Sequence, residues 1–367
     1  MNLVEFDAAD GQERPITSQR QWFSIYQVVW LDDESGLMIS AREQPVSPSQ
    51  LWRISYPHGE SVRITSDVND YYGISLSRNG AAIISVERQY RSQIWVAPDG
   101  DVERARSIAS KSKVGASFGL SWTNKGRIVF SDIAGDNLYI SLIDDDGSNQ
   151  IQLTVNAGDN YAPATSPDGR VIVFASNRTG SFNIWRMNAD DGGDLKQLTF
   201  SDGNFYPSCS PDGQWVYYEQ QSKAVKRLWK VPINGGDAVQ LTDKYSQMPV
   251  VSPDNQFIAC RYDTGAGVRG IAILPAQGGP PVKLLPIPVV QFQRVQWFNN
   301  GHSLTYINTT KGTSNIWSYD LATGTSKQLT NFKSDQIFSY AWSPDYKQLA
   351  YERGTTVSDV TIINYQK

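Results

Sequence analysis

Ser166-Pro167-Asp168-Gly169, followed closely by Val171-Ile172-Val173-Phe174, is the stretch on which the fold turns. Pro presets φ at the second position of a tight turn, Asp tolerates the third, and Gly ends it. The β-branched run behind it reads as a buried strand. Upstream, residues 161–166 are extended. Downstream, Asn177-Arg178-Thr179-Gly180 turns the chain again and Asn183-Ile184-Trp185-Arg186-Met187 forms a third strand. Asp190-Asp191-Gly192-Gly193 is a hairpin loop, and Lys196-Gln197-Leu198-Thr199 is a fourth strand. The unit is four strands, A to D, joined by short loops.

The turn recurs. Ser210-Pro211-Asp212-Gly213 is a clean copy, while Ser252-Pro253-Asp254-Asn255 and Ser343-Pro344-Asp345-Tyr346 are blurred. Weaker copies start at Leu31, Ser77, Thr123 and Phe298, so the turns return every 42 to 46 residues. A fixed period of this size means stacked supersecondary units, and a four-stranded propeller blade fits it. Strand C repeats an aliphatic–aromatic pair at Leu51-Trp52, Ile94-Trp95, Leu138-Tyr139, Ile184-Trp185, Leu228-Trp229 and Ile316-Trp317. Strand D carries a Gln-Leu-Thr tail at Gln152, Gln197, Gln240 and Gln328. The expectation is an all-β chain: one domain over residues 1–367, an eight-bladed β-propeller of four-stranded antiparallel blades.

The ends suggest how such a ring closes. Residues 2–18 align without a gap to residues 50–66, so the chain opens on a C–D pair. It ends on A, B and a C-like strand, Val360-Thr361-Ile362-Ile363. The N-terminal D strand is expected to complete the last blade, which removes a sheet edge and ties down both termini. One C copy, Leu3–Phe6 or Val360–Ile363, is then spare.

Composition narrows the function. Net charge is -4 and the pI about 5.3, so nucleic-acid binding by this region is disfavoured. No run of 18 apolar residues and no charged-then-apolar leader occurs, so this region reads as carrying no membrane anchor or signal peptide of its own. A monomer is expected. The two cysteines, Cys209 and Cys260, lack metal-type spacing and sit in apolar strand patterns, as buried thiols do.

Few residues invite chemistry. His58 sits at a C–D hairpin and His302 follows an A–B turn. Nothing in the sequence positions either for acid–base work. Gly115-Ala116-Ser117-Phe118-Gly119 fits Gly-x-Ser-x-Gly, but that motif works as a strand-to-helix elbow, and no helix pattern follows. Asp144-Asp145-Asp146-Gly147-Ser148-Asn149 resembles the start of a calcium loop, yet Gln150-Ile151-Gln152 runs straight into strand D. No phosphate-binding or dinucleotide motif is present. The chain is expected to be non-catalytic, with no cofactor and no metal.

The strings Ser-Pro-Asp-Gly, Ile-Trp, Asp-Gly-Gly and Gln-Leu-Thr, in this order, resemble the TolB-type, WD-like propeller repeat. Related repeats occur in the propellers of the prolyl-oligopeptidase and dipeptidyl-peptidase group. The ending, Ala341-Trp342-Ser343-Pro344-Asp345 through Arg353-Gly354-Thr355-Thr356-Val357-Ser358-Asp359-Val360, is similar to the C-terminal propeller region of bacterial multidomain signalling proteins. There a Ser/Thr kinase or winged-helix domain and a membrane span come first. The resemblance implies an interaction or sensor module of such a protein, extracytoplasmic if a span precedes it and otherwise cytoplasmic. The alternatives are an accessory propeller of a serine peptidase without its hydrolase domain, or a periplasmic TolB-like partner protein.

In a propeller, strand A lines the axis. Five positions before each A–B turn lie Tyr26, Tyr72, Phe118, Tyr161, Phe205, Gln247, Gln293 and Phe338. This mostly aromatic ring packs blade on blade. Four positions before lie Gln27, Gly73, Gly119, Ala162, Tyr206, Met248, Arg294 and Ser339, mostly small or polar. Residues that interrupt this small face or sit in a D–A loop are the binding candidates: Asp70, Tyr206, Met248, Arg294 and Asp335. Aromatics and Arg are usual interface anchors. The expected ligand is a protein or peptide partner, or a small molecule, at one mouth of the channel.

Overall fold

A computed structural model describes residues 1–16, 20–44, 47–78, 81–111, 119–134, 137–155, 158–222, 225–263, 269–288, 294–298 and 300–364. Among them the structure is strand and turn, with a single 3₁₀ turn at Val102–Arg104. The expected all-β propeller of four-stranded antiparallel sheets is borne out. All eight A–B hairpins are present at the positions set by the recurring turn. The Gly-x-Ser-x-Gly match falls mainly on residues 112–118, outside the described residues.

The turn works as its residues dictate. Ser166 Oγ donates to Asp168 Oδ1 at 2.6 Å and accepts from Val171 N at 3.0 Å, while Arg170 N donates to Asp168 Oδ1 at 3.1 Å. The same three contacts recur at Ser210 and Asp212, Ser252 and Asp254, and Ser343 and Asp345. In these four repeats the hydroxyl and carboxylate thus replace water on backbone donors at the start of the B strand.

Residues 1–91 and the stretch from Thr356 form one compact unit; residues 92–111 and 116–355 form the other. The larger unit holds five complete four-stranded sheets, those of repeats three to seven. Its sixth blade is composite. Strands A (Gln336–Trp342) and B of repeat eight join strand C, the rear half of Ala82–Pro98, and strand D (Arg106–Lys111) of repeat two. Ser92 Oγ donates to Glu352 Oε1 at 2.6 Å and Asp99 N to Lys347 O at 2.5 Å, which sets this pairing antiparallel. Ile94, Val96 and Ile108 of the composite blade pack with Leu120, Trp122 and Ile128 of repeat three. On its other side Ala97, Leu349 and Tyr351 pack with Ile307 and Ile316 of repeat seven. The larger unit is therefore a closed ring of six blades.

This closure replaces the one expected from the termini. Among the described residues, the N-terminal strands Val4–Phe6 and Glu13–Pro15 pair only with each other and do not complete the last blade. The reason lies in repeat two, where Ala82–Pro98 runs through as one 17-residue strand. Val86-Glu87-Arg88-Gln89-Tyr90-Arg91-Ser92 offers no Gly, Pro, Asn or Asp to make the B–C turn, so its C and D strands are delivered elsewhere. Gln348–Asn364 likewise runs through, and neither Leu3–Phe6 nor Val360–Ile363 is spare.

The smaller unit is a stack of three sheets. Leu3 and Ile16 pack with Trp22, Leu37 and Trp52 of repeat one. Met38, Leu51, Tyr71 and Ile83 form a second cluster, with Ile363 packed against it. Apolar side chains remain uncovered in this unit, among them Phe6, Trp30, Val360 and Ile362.

Candidate functional site

The larger unit encloses a cavity of about 460 Å³ along its A strands. A backbone irregularity repeated from blade to blade shapes it. Register shifts by two residues on strand A against one on strand B between Tyr161 and Ala164, Phe205 and Ser208, and Gln247 and Val250. The bulged residues Ala162, Tyr206 and Met248 take φ of 55°, 51° and 57°, in the left-handed region that side chains other than glycine seldom adopt. Repeat three has Gly119 at the same place, at φ 112°, where a Cβ would stand 3.2 Å from Ala162 Cα. Each bulge re-aims one residue relative to plain strand alternation.

Five of the residues four positions before the turn line the cavity: Gly119, Ala162, Tyr206, Arg294 and Ser339. The lining extends to the turns themselves, at Pro167, Pro211, Pro253 and Pro344. Around the wall the polar groups are hydroxyls and amides, such as Ser121, Thr165 and Gln296, among apolar Val250, Phe338 and Trp342. Arg294 is the one charged side chain among the described lining residues.

Arg294 and Tyr206 are brought together, with the guanidinium carbon 5.4 Å from the ring centroid. Nη1 of Arg294 donates to Pro207 O at 3.1 Å; among the described residues, Nε and Nη2 have no acceptor. The side chain faces the cavity yet is enclosed by protein. Burial pulls its pKa down to about 10, against the upward pull of Tyr206, Glu219 and Tyr161. It therefore stays cationic at neutral pH. Burial, and then the Glu219 charge, pushes the Tyr206 phenol above its ordinary range, so it stays protonated. Glu219 is itself committed: Oε1 accepts from Lys226 Nζ at 3.0 Å and Oε2 from Met248 N at 3.0 Å.

The other candidates lie outside the cavity lining. Met248 is buried, and its backbone amide anchors Glu219. Asp335, in the D–A loop, is paired with Arg353 at 2.9 Å. Asp70 belongs to the smaller unit, where its Oδ1 accepts from Ser49 N at 2.7 Å and Arg42 Nη2 at 3.1 Å, a structural tie between strands. In the aromatic ring, Tyr161 and Phe205 are buried and stack at 6.2 Å between blades, as packing predicts; Phe118 and Gln293 lie outside the described residues.

Cys209 also lines the cavity, a position that its apolar strand pattern does not announce. Burial pushes this thiol up to about 12, so almost no nucleophilic thiolate exists at neutral pH. Asp144 is held low, first by the Asn149 amide and also by Arg127; it belongs to a hairpin, as the sequence suggested. Among the described residues no group of three or more His, Cys, Asp or Glu side chains is placed to hold a metal ion.

Residues 103–279 match the family model of the TolB beta propeller domain. The structure is similar to TolB from Acinetobacter baumannii, with 14% identity, a TM-score of 0.54, and 90% of this chain and 78% of that chain covered. It is also similar to a chain of a nidogen/laminin complex, with 14% identity, a TM-score of 0.50, and 71% of this chain and 98% of that chain covered. A stretch of 86 residues is 35% identical to an uncharacterized protein, Atu1656, of Agrobacterium fabrum, covering 23% of this chain and 29% of that protein. Identities of 14% between structures show the fold alone. Over residues 103–279, then, the sequence is similar to the TolB beta propeller domain.

Proposed function

We propose that the six-blade unit is a non-catalytic binding module whose channel receives an extended segment of a protein partner, gripped at Tyr206 and Arg294. The observation that carries this reading is the cavity itself: about 460 Å³, lined by aromatic, proline and small side chains, with a single cation inside. Ligand sites are typically of this make-up, mostly apolar with a few placed polar groups. The described lining holds no His and no carboxylate, so it presents no acid–base pair for hydrolysis or elimination. A chain of similar fold belongs to a nidogen/laminin complex, which lends analogy to a protein-binding role.

Two settings fit this reading. The match to the TolB beta propeller domain favours a TolB-like partner protein. The likeness of residues 341–360 to the ends of bacterial signalling proteins favours a sensor or interaction module at the end of a longer chain. Both need the same channel.

A random peptide library selected on the intact chain tests the reading. Enriched peptides are expected to compete for one site and to bind Tyr206→Ala at least about tenfold more weakly, since a buried aromatic anchor typically carries 1.4 kcal/mol or more. Peptides that bind Tyr206→Ala unchanged would count against the channel.

A further inference from the structure

Resting on the channel reading above, the geometry points to the chemistry of the ligand's anchoring group. Arg294 is the starting observation. A buried guanidinium is normally matched by a carboxylate, because an unpaired buried charge is costly. Here the match is missing. Nη1 spends itself on the neutral carbonyl of Pro207, and the Tyr206 ring covers one face at 5.4 Å. Among the described residues, Nε and Nη2, two adjacent donors of the fork, have no acceptor.

The neighbours cannot supply one. Glu219, whose charge acts on Arg294 from a distance, bonds instead to Lys226 Nζ at 3.0 Å and Met248 N at 3.0 Å, and does not hydrogen-bond Nε or Nη2 of Arg294. The Tyr161 and Tyr206 phenols are pushed upward, first by burial, and stay neutral. Arg261 acts on Tyr206 as a further cation. The cavity wall adds no other charge among the described residues. Among the described residues, the cavity thus holds one positive charge with no hydrogen-bonded anion.

We propose that this charge is completed by the ligand, and that the anchoring group is a carboxylate: the free C-terminal carboxylate of a peptide entering the channel end-on. Rotation about the Cγ–Cδ and Cδ–Nε bonds, with Nη1 released from Pro207 O, is what would present the buried Nε and Nη2 to the two carboxylate oxygens, the bidentate geometry that arginine suits. A terminal carboxylate fits better than an Asp or Glu side chain. The lining offers one cation and otherwise apolar and hydroxyl groups, so a chain end needs no second charged contact. The volume of about 460 Å³ suits a short apolar end rather than a folded surface.

Pools of N-acetylated apolar tripeptides, synthesised once as free acids and once as C-terminal amides, test this by calorimetric titration of the intact chain. The free acids are expected to bind more tightly than the amides by about tenfold to a hundredfold, the worth of a charge-assisted pair. Arg294→Gln is expected to erase that preference. Arg294→Lys, which keeps the charge without the fork, is expected to retain part of it. Thermal midpoints of both variants report folding, and Arg294→Lys decides the matter if Arg294→Gln does not fold.

Equal affinity for acids and amides, a preference that survives in Arg294→Gln, or no acid binding tighter than about 1 mM would each overturn the carboxylate assignment. The channel reading fails separately. If acids and amides bind alike and both weaken in Tyr206→Ala, the channel stands and only the carboxylate falls. If no peptide of either kind, and none from the random library, depends on Tyr206, both fall.

Discussion

At the scale of single residues, two buried ionisable groups stand out, and they differ in kind. Arg294 keeps its charge in a cavity without a matched anion. Glu352 instead holds its proton to higher pH than an ordinary carboxyl group. It lies on strand B of repeat eight, where burial, only partly offset by the Ser92 hydroxyl, raises its pKa to about 7. In the unfolded chain it titrates in the ordinary range, near about 4.3. The folded state therefore binds the extra proton. The stability that this contributes is complete below the unfolded pKa and is lost as pH rises through about 7. Glu352→Gln keeps the acceptor for Ser92 and removes the titration. Its unfolding free energy is expected to fall less than wild type between pH 5 and pH 8. At pH 8 it is expected to exceed wild type by on the order of 2 kcal/mol. Denaturant unfolding across that range reads both quantities, and parallel pH profiles would show that Glu352 is not the group.

At the scale of elements, the Gln-Leu-Thr tail has a definite task. Strand D is short, only two residues in repeats three, four and five, and cannot cover its neighbour alone. The threonine hydroxyl takes over: Thr154, Thr199, Thr242 and Thr330 each accept from a strand C amide, those of Ile140, Ile184, Leu228 and Ile316, at 2.9 to 3.0 Å. The glutamine amide donates back to the threonine carbonyl at 2.6 to 2.8 Å in the same repeats. Thr154→Val keeps the shape and orphans the buried Ile140 amide. It is expected to cost about 1–3 kcal/mol, with faster hydrogen exchange at that amide, while Thr154→Ser retains most of the protection. Unchanged exchange in Thr154→Val would show that the hydroxyl is dispensable. Spacing made the tail visible but not its bond, because a side-chain acceptor leaves no periodic trace. The strand A bulges were hidden for a related reason. Tyr206 and Met248 adopt positive φ without the glycine that usually announces it.

At the scale of the whole molecule, the eight hairpins were legible because each needs its own turn chemistry, written locally in Ser, Pro, Asp and Gly. Which strands complete which blade was not legible. That depends on the missing turn between Val86 and Ser92 and on pairings such as Ser92 with Glu352, 260 positions apart. The candidate site divides the same way. Tyr206 and Arg294 were found because they interrupt a small-residue row, and the fold brings them together. Asp70 and Asp335 stand out in the sequence by place in the repeat alone, and each is taken up in an ion pair.

The central claim is that ligands enter the channel of the six-blade ring. Hydrogen-exchange mass spectrometry of the intact chain, with and without a library-selected peptide, tests it most directly. The account predicts new protection in the A strands around the cavity, at residues 160–165, 204–209 and 336–342, with the outer C and D strands unchanged. Protection confined to the outer strands, or to the smaller unit, would contradict it.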